Sequence, residues 1–182
     1  MQYLLLENVS KSYGDKVLFS DIGFSITRGD KIALVAKNGS GKTTLLKMLN
    51  GEEAPEGETA KIRWAKGITI SFLKQEPDLA DDSTALESVL DSDNPSVVAI
   101  KEYEEALLSQ DDQLIEKCVS RLDDLKAWDI ENRIKEILSK LNIVNLNQRI
   151  GTMSGGQKKR VALARILIEE PDFLILLSLI HI

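Results

Sequence analysis

The chain has 182 residues, 43% of them hydrophobic and 29% charged, a balance that supplies a core and excludes wholesale disorder. A formal net charge of −6 and a pI near 5.0 exclude polyanion binding by the chain as a whole, because counterion release needs clustered Lys and Arg. Cys118 is the single cysteine and has no internal disulfide partner; the opening MQYLLLENVSKSYG lacks the pattern of a signal peptide, and the longest apolar stretch, Phe173 to Ile182, is too short to span a bilayer. A soluble protein of a reducing cytoplasm is expected, with no membrane segment.

In chain order, YLLLENV, KVLF and FSI read as short strands separated by Gly14, Asp15, Ser20, Asp21 and the Arg28-Gly29-Asp30 turn. KIALV has no polar residue after Lys31 and is expected to be a strand buried on both faces. It runs into AKNGSGKT and then TTLLKMLN, so the order is strand, loop, helix. A turn around Pro55, Glu56 and Gly57 precedes two strand-like runs, KIRW and ITISFL. Beyond Gln75-Glu76-Pro77 the chain turns helical and acidic. One helix starts at Asn94-Pro95, with Val97, Ile100, Tyr103, Ala106 and Leu107 at three- and four-residue steps. A second carries Leu114, Cys118, Leu122 and Leu125 as an apolar stripe, and the two are expected to pair as an antiparallel hairpin across Ser109 to Asp112. A third opens at Asp129, shows Ile130, Ile134, Ile137, Leu138 and Leu141 on one face, and ends near Asn142.

The chemistry concentrates in Ala36, Lys37, Asn38, Gly39, Ser40, Gly41, Lys42 and Thr43, followed by Thr44, which match the phosphate-loop spacing G-x-x-x-x-G-K-[ST] in its required context. Gly39 and Gly41 let the backbone curl so that successive N–H groups point inward. Lys42 is placed to reach the outer phosphates of a nucleotide, and the Thr43 hydroxyl to ligate Mg²⁺. The dipole of the following helix adds to the attraction. Ala36 stands where the pattern has its first glycine, which requires that it keep a negative φ.

Met153-Ser154-Gly155-Gly156-Gln157, followed by KKRVALARILIEEPDFLIL, resembles the LSGGQ signature and helix of ATP-binding cassette proteins. That resemblance implies an α/β fold: a P-loop NTPase cassette with a mostly parallel central sheet, an antiparallel β subdomain and a helical subdomain. It further implies that Ser154, Gly155, Gly156 and Gln157 complete the ATP site of a second cassette, so that ATP is sandwiched head to tail. Tyr13, in SKSYG, looks like the aromatic that stacks on adenine; Gln75, in FLKQEP, looks like the glutamine that reaches Mg²⁺ and the attacking water. The resemblance is closest to the ABC-F proteins, particularly their Uup-like branch, which are soluble tandem cassettes. It rests on the QEP after the strand, the acidic helical insertion from about Pro95 to Lys126, and AWDIENRIKEILSKLNI before the signature. In ABC-F proteins the insertion is an arm that touches the ribosome, and the acidity of this one favours protein contact over a direct grip on RNA; nucleic acid would be met only through the ribosome or through regions beyond this chain.

The resemblance implies three parts to one cassette over residues 1–176: a nucleotide-binding core with its β subdomain over 1–75, a helical subdomain with an arm over 76–150, and the signature helix with the start of the Walker B strand over 151–176. The family has an aspartate and a glutamate after four apolar residues here, whereas Phe173-Leu174-Ile175-Leu176 is followed by Leu177-Ser178-Leu179-Ile180-His181-Ile182. The expected consequence is a tail that is truncated or frame-shifted at 177–182, missing the general base and part of the metal site. The intact protein is expected to hydrolyse ATP in ribosome- or translation-related work, with Lys42 and Gln75 in catalysis, Thr43 and Gln75 at Mg²⁺, and this chain alone turning over little. A transporter ATPase subunit and a non-hydrolytic ATP-sensing module are the other readings.

Overall fold

The computed structural model describes residues 1–177, so the expectations placed on 178–182, His181 included, lie outside the described residues. The chain forms two compact units, one of Met1–Phe72 with Pro171–Leu177, the other spanning Leu73–Glu170.

In the first unit, β1 (Gln2–Tyr13) and β2 (Lys16–Thr27) are twelve-residue strands that pair antiparallel around the Gly14-Asp15 turn, and β3 (Lys61–Trp64) pairs antiparallel with the other edge of β1. KVLF and FSI therefore belong to one strand rather than two. The polar residues between them do not end it because Asp21 takes φ 50 opposite a register shift beside Asn8, φ 52, and the Asp21 amide donates to the Ser10 hydroxyl at 2.9 Å. A bulge absorbs both residues, whose short side chains tolerate the left-handed region. The helix α1 (Lys42–Leu49) lays Leu45, Met48 and Leu49 against Leu4, Leu6, Val9 and Ile26 of the sheet.

The KIALV run departs from expectation. Residues 31–35 form no strand and are exposed, with Ile32 at 60%, Leu34 at 44% and Val35 at 89% of full exposure. An apolar run becomes a strand buried on both faces only where neighbouring strands take up its backbone groups. Among the described residues none pairs with it: β4 (Ile70–Leu73) and β5 (Phe173–Leu176) pair with each other as a two-stranded sheet, and the larger central sheet expected from the sequence does not form. Asp172 fastens the pair by accepting from the Thr69 amide at 3.0 Å and the Thr69 hydroxyl at 3.1 Å, and Trp64 meets Phe173 edge-on at 4.9 Å.

The second unit is helical: α2 (Ala85–Leu90), α3 (Pro95–Ser109), α4 (Asp112–Leu125), α5 (Ile130–Lys140) and α6 (Gly155–Glu169), with a 3₁₀ turn at Ile150–Thr152. The helix starts at Asn94 and Asp129 and the α3–α4 hairpin are as expected from the sequence. Within the α4 stripe, Cys118 and Leu122 are buried while Leu114 and Leu125 are exposed. The short helix α2 was not foreseen, although its signal is present: Thr84 and Glu87 form a reciprocal capping box. Its buried Ala85 and Val89 join Val97, Ile130, Ile134, Leu138, Ile150, Val161 and Ile168 in the unit's core.

Candidate functional site

The loop before α1 has the backbone that phosphate coordination demands. Gly39 and Gly41 take φ 76 and 92, conformations that L side chains adopt only with strain. Gly41 is restricted twice over, since a Cβ there would meet the Phe19 ring at 2.9 Å and the Leu18 Cβ at 3.0 Å. Ala36 keeps a negative φ, so the departure from glycine at the first position costs nothing in backbone strain. At Gly41, the N-cap of α1, no side chain caps the helix and no acidic residue lies in the first turn. The leading amides of α1 are thus left for an anion, and the helix dipole points the same way. Ser40 carries a buried hydroxyl with no hydrogen-bond partner. The Lys42 ammonium lies across the loop, donating to the Ala36 carbonyl at 2.6 Å and the Lys37 carbonyl at 2.9 Å, while Asn38 and Thr43 are exposed. Among the described residues there is no cluster of His, Cys, Asp and Glu able to hold a metal.

Tyr13 sits at the end of β1 with its ring half exposed and belongs to the same unit as the loop. Its hydroxyl donates to Glu53 Oε2 at 2.7 Å, in the turn that follows α1. The Glu53 carboxylate raises the ionisation of this phenol above its ordinary value, since it stabilises the protonated donor. Next to it, Glu56 accepts from the Ser12 amide at 2.9 Å and the Ser12 hydroxyl at 2.7 Å, and the Lys11 ammonium stands 5.5 Å from the Tyr13 ring centroid. Sequence reasoning missed Glu53 and Glu56; their only mark was two acids in the turn that follows the phosphate-loop helix.

In the other unit, Ser154 is the N-cap of α6. Its hydroxyl accepts from the Gln157 amide at 3.2 Å, and the Gln157 side chain accepts from the Ser154 amide at 2.8 Å, closing a second capping box. Gly155 has open space where a Cβ would stand, and with Gly156 it forms the first turn of α6. Gln75 is exposed at the bend after β4.

Loop, left-handed glycines and uncapped helix are those of a nucleotide-binding α/β protein of the phosphate-loop class. The chain belongs to the ABC transporter family of ATP-binding domains, whose pattern it matches over residues 19–176. It is 38% identical over 97% of its length to an uncharacterized ABC transporter ATP-binding protein, YfmR of Bacillus subtilis, of which it covers 29%. It is 31% identical over 94% of its length to the energy-dependent translational throttle protein EttA of Mycobacterium tuberculosis, covering 32% of that protein, and 29% identical to ABC transporter F family member 2 of Arabidopsis thaliana, covering 27% of it. These relatives bear out the ABC-F resemblance read from the sequence, and the chain spans about a third of their length. Among solved structures, cbiO1 of Clostridium perfringens, part of the ABC transporter complex cbiONQ, matches 97% of this chain and 65% of its own at 25% identity and a TM-score of 0.58. The fold is accordingly that of a partial cassette, and its family function is ATP binding. Among the described residues no helix is long and apolar enough to cross a membrane.

Proposed function

We propose that the chain is the ATP-binding part of a soluble, cytoplasmic ABC-F protein whose two cassettes close on ATP and, in the intact protein, hydrolyse it in work on the ribosome. The observation that carries this is the uncapped N-terminus of α1 behind the left-handed Gly39 and Gly41. Amides of Gly39 to Thr44 surround the phosphates, and the buried Ser40 hydroxyl gains the acceptor it lacks. Lys42 leaves the Ala36 and Lys37 carbonyls, which hold its ammonium over the loop, and neutralises the outer phosphates. Thr43 would ligate Mg²⁺, which would supply charge neutralisation at the phosphates, and the family resemblance assigns Gln75 to the same ion. Tyr13 stacks on adenine. Ser154 and Gln157 keep α6 wound to its first residue, so that Gly155 and Gly156 present amides to the nucleotide of the second cassette.

Leu177 and Ser178 stand where the family has its two carboxylates, so this chain is assigned binding with little turnover. Titration of the full chain with MgATP tests the reading: saturable, magnesium-dependent binding is expected, weakened by Lys42→Ala at least about tenfold. Absence of binding by the unaltered, folded chain rejects it. The fold likeness to transporter cassettes supports a second reading, an ATPase subunit of a transporter. A second cassette in the same parent chain favours the first reading, and a permease encoded beside it the second.

A further inference from the structure

The first residues of β2 run along the phosphate loop rather than merely near it. Leu18 Cβ and the Phe19 ring close on Gly41, and earlier on the same strand the Lys16 ammonium stands 3.7 Å from where a Cβ of Gly39 would be. Lys16, Leu18 and Phe19, at the start of β2, thus all stand beside the loop. Lys16 is also held by register, since it pairs with Tyr13 across the β1–β2 turn. The other loop cation with a defined place, Lys42, is engaged with the Ala36 and Lys37 carbonyls. Lys16 has no ion pair among the described residues. An ammonium without a carboxylate partner, set beside a glycine of the phosphate loop, has a phosphate oxygen as its natural complement.

We propose that Lys16 is a second phosphate-binding cation of the nucleotide site, contacting the polyphosphate of ATP from the β2 side of the loop while Lys42 contacts it from the other. The inference rests on the reading of Ala36 to Thr43 as a triphosphate-binding loop and adds to it a residue outside the loop. It places the β1–β2 turn over both parts of one ligand, with Tyr13 at the base and Lys16 at the phosphates.

The experiment is calorimetric titration of the full chain with MgATP at several salt concentrations, using unaltered protein, Lys16→Met, Lys16→Arg and Lys42→Ala. Lys16→Met is expected to weaken MgATP about fivefold, the modest size reflecting a solvent-facing ammonium, and to lower the slope of log affinity against log salt; Lys16→Arg keeps most of both. Unchanged affinity and slope in Lys16→Met, or equal weakening by Met and Arg, overturns the assignment. A full loss in Lys42→Ala beside an unaltered Lys16→Met would sink this proposal and leave the loop reading standing. Failure of the unaltered chain to bind at all would sink both.

Discussion

At the level of single residues, the hydroxyl of Tyr13 ties the end of β1 to Glu53, in the turn beyond the phosphate-loop helix. The ring can stack on a purine only if it is held at the right height, and a short bond to a carboxylate holds it with one rotatable group. Glu53→Ala removes both the acceptor and the charge, so the ionisation of Tyr13 should fall back toward the ordinary tyrosine value of about 10. Titration by phenolate absorbance, in a background where Tyr3 and Tyr103 are Phe, reads this directly. An unmoved midpoint would show that Glu53 does not govern the ring. The residue-level readings from sequence fared well where chemistry is local: Gly39, Gly41 and Ala36 have the backbone signs that the motif spacing demanded. Glu53, Glu56 and Lys16 were not legible, because each gains its meaning from a partner on another element.

At the level of elements, the capping boxes on α2 and α6 define where two helices begin. Thr84→Ala should lower stability by about 1 kcal/mol, measured by denaturant unfolding, as for other lost N-caps. The same box has an acid-side signature. The Glu87 carboxylate accepts from the Thr84 amide and hydroxyl, which hold its ionisation below the ordinary range. Its contribution is therefore complete above about pH 4.3, the unfolded value, and is lost as pH falls through the lower folded one. Glu87→Gln should flatten the stability profile over that window, and an unchanged profile would assign the acid sensitivity to other groups such as Asp172, which two Thr69 donors hold in the same direction. The hairpin α3–α4 was legible because helical period, Asn94-Pro95 and the polar turn agree. The joining of KVLF and FSI into β2 was not, since a bulge leaves no composition signal apart from residues that also make turns.

At the level of the whole molecule, the apolar run at residues 31–35 stands outside any strand, with Ile32, Leu34 and Val35 open to water immediately before the phosphate loop. Exposed apolar sequence of strand character invites pairing with another chain. The chain should self-associate as concentration rises, and Ile32→Thr with Val35→Thr should reduce this in light scattering without changing the helical circular dichroism; equal association in the double variant would place the cause elsewhere. The sequence by itself determined what depends on neighbours along the chain: the phosphate loop and its helix, the helix caps, the hairpin turn and the family pattern over residues 19–176. Only the tertiary structure decided whether KIALV becomes a strand, which residues stand beside the loop, and which residues of the α4 stripe are buried. Local backbone conformation is written in residue type and spacing, whereas strand formation and side-chain partnership depend on groups distant in sequence that must arrive to satisfy the backbone and cover the apolar face.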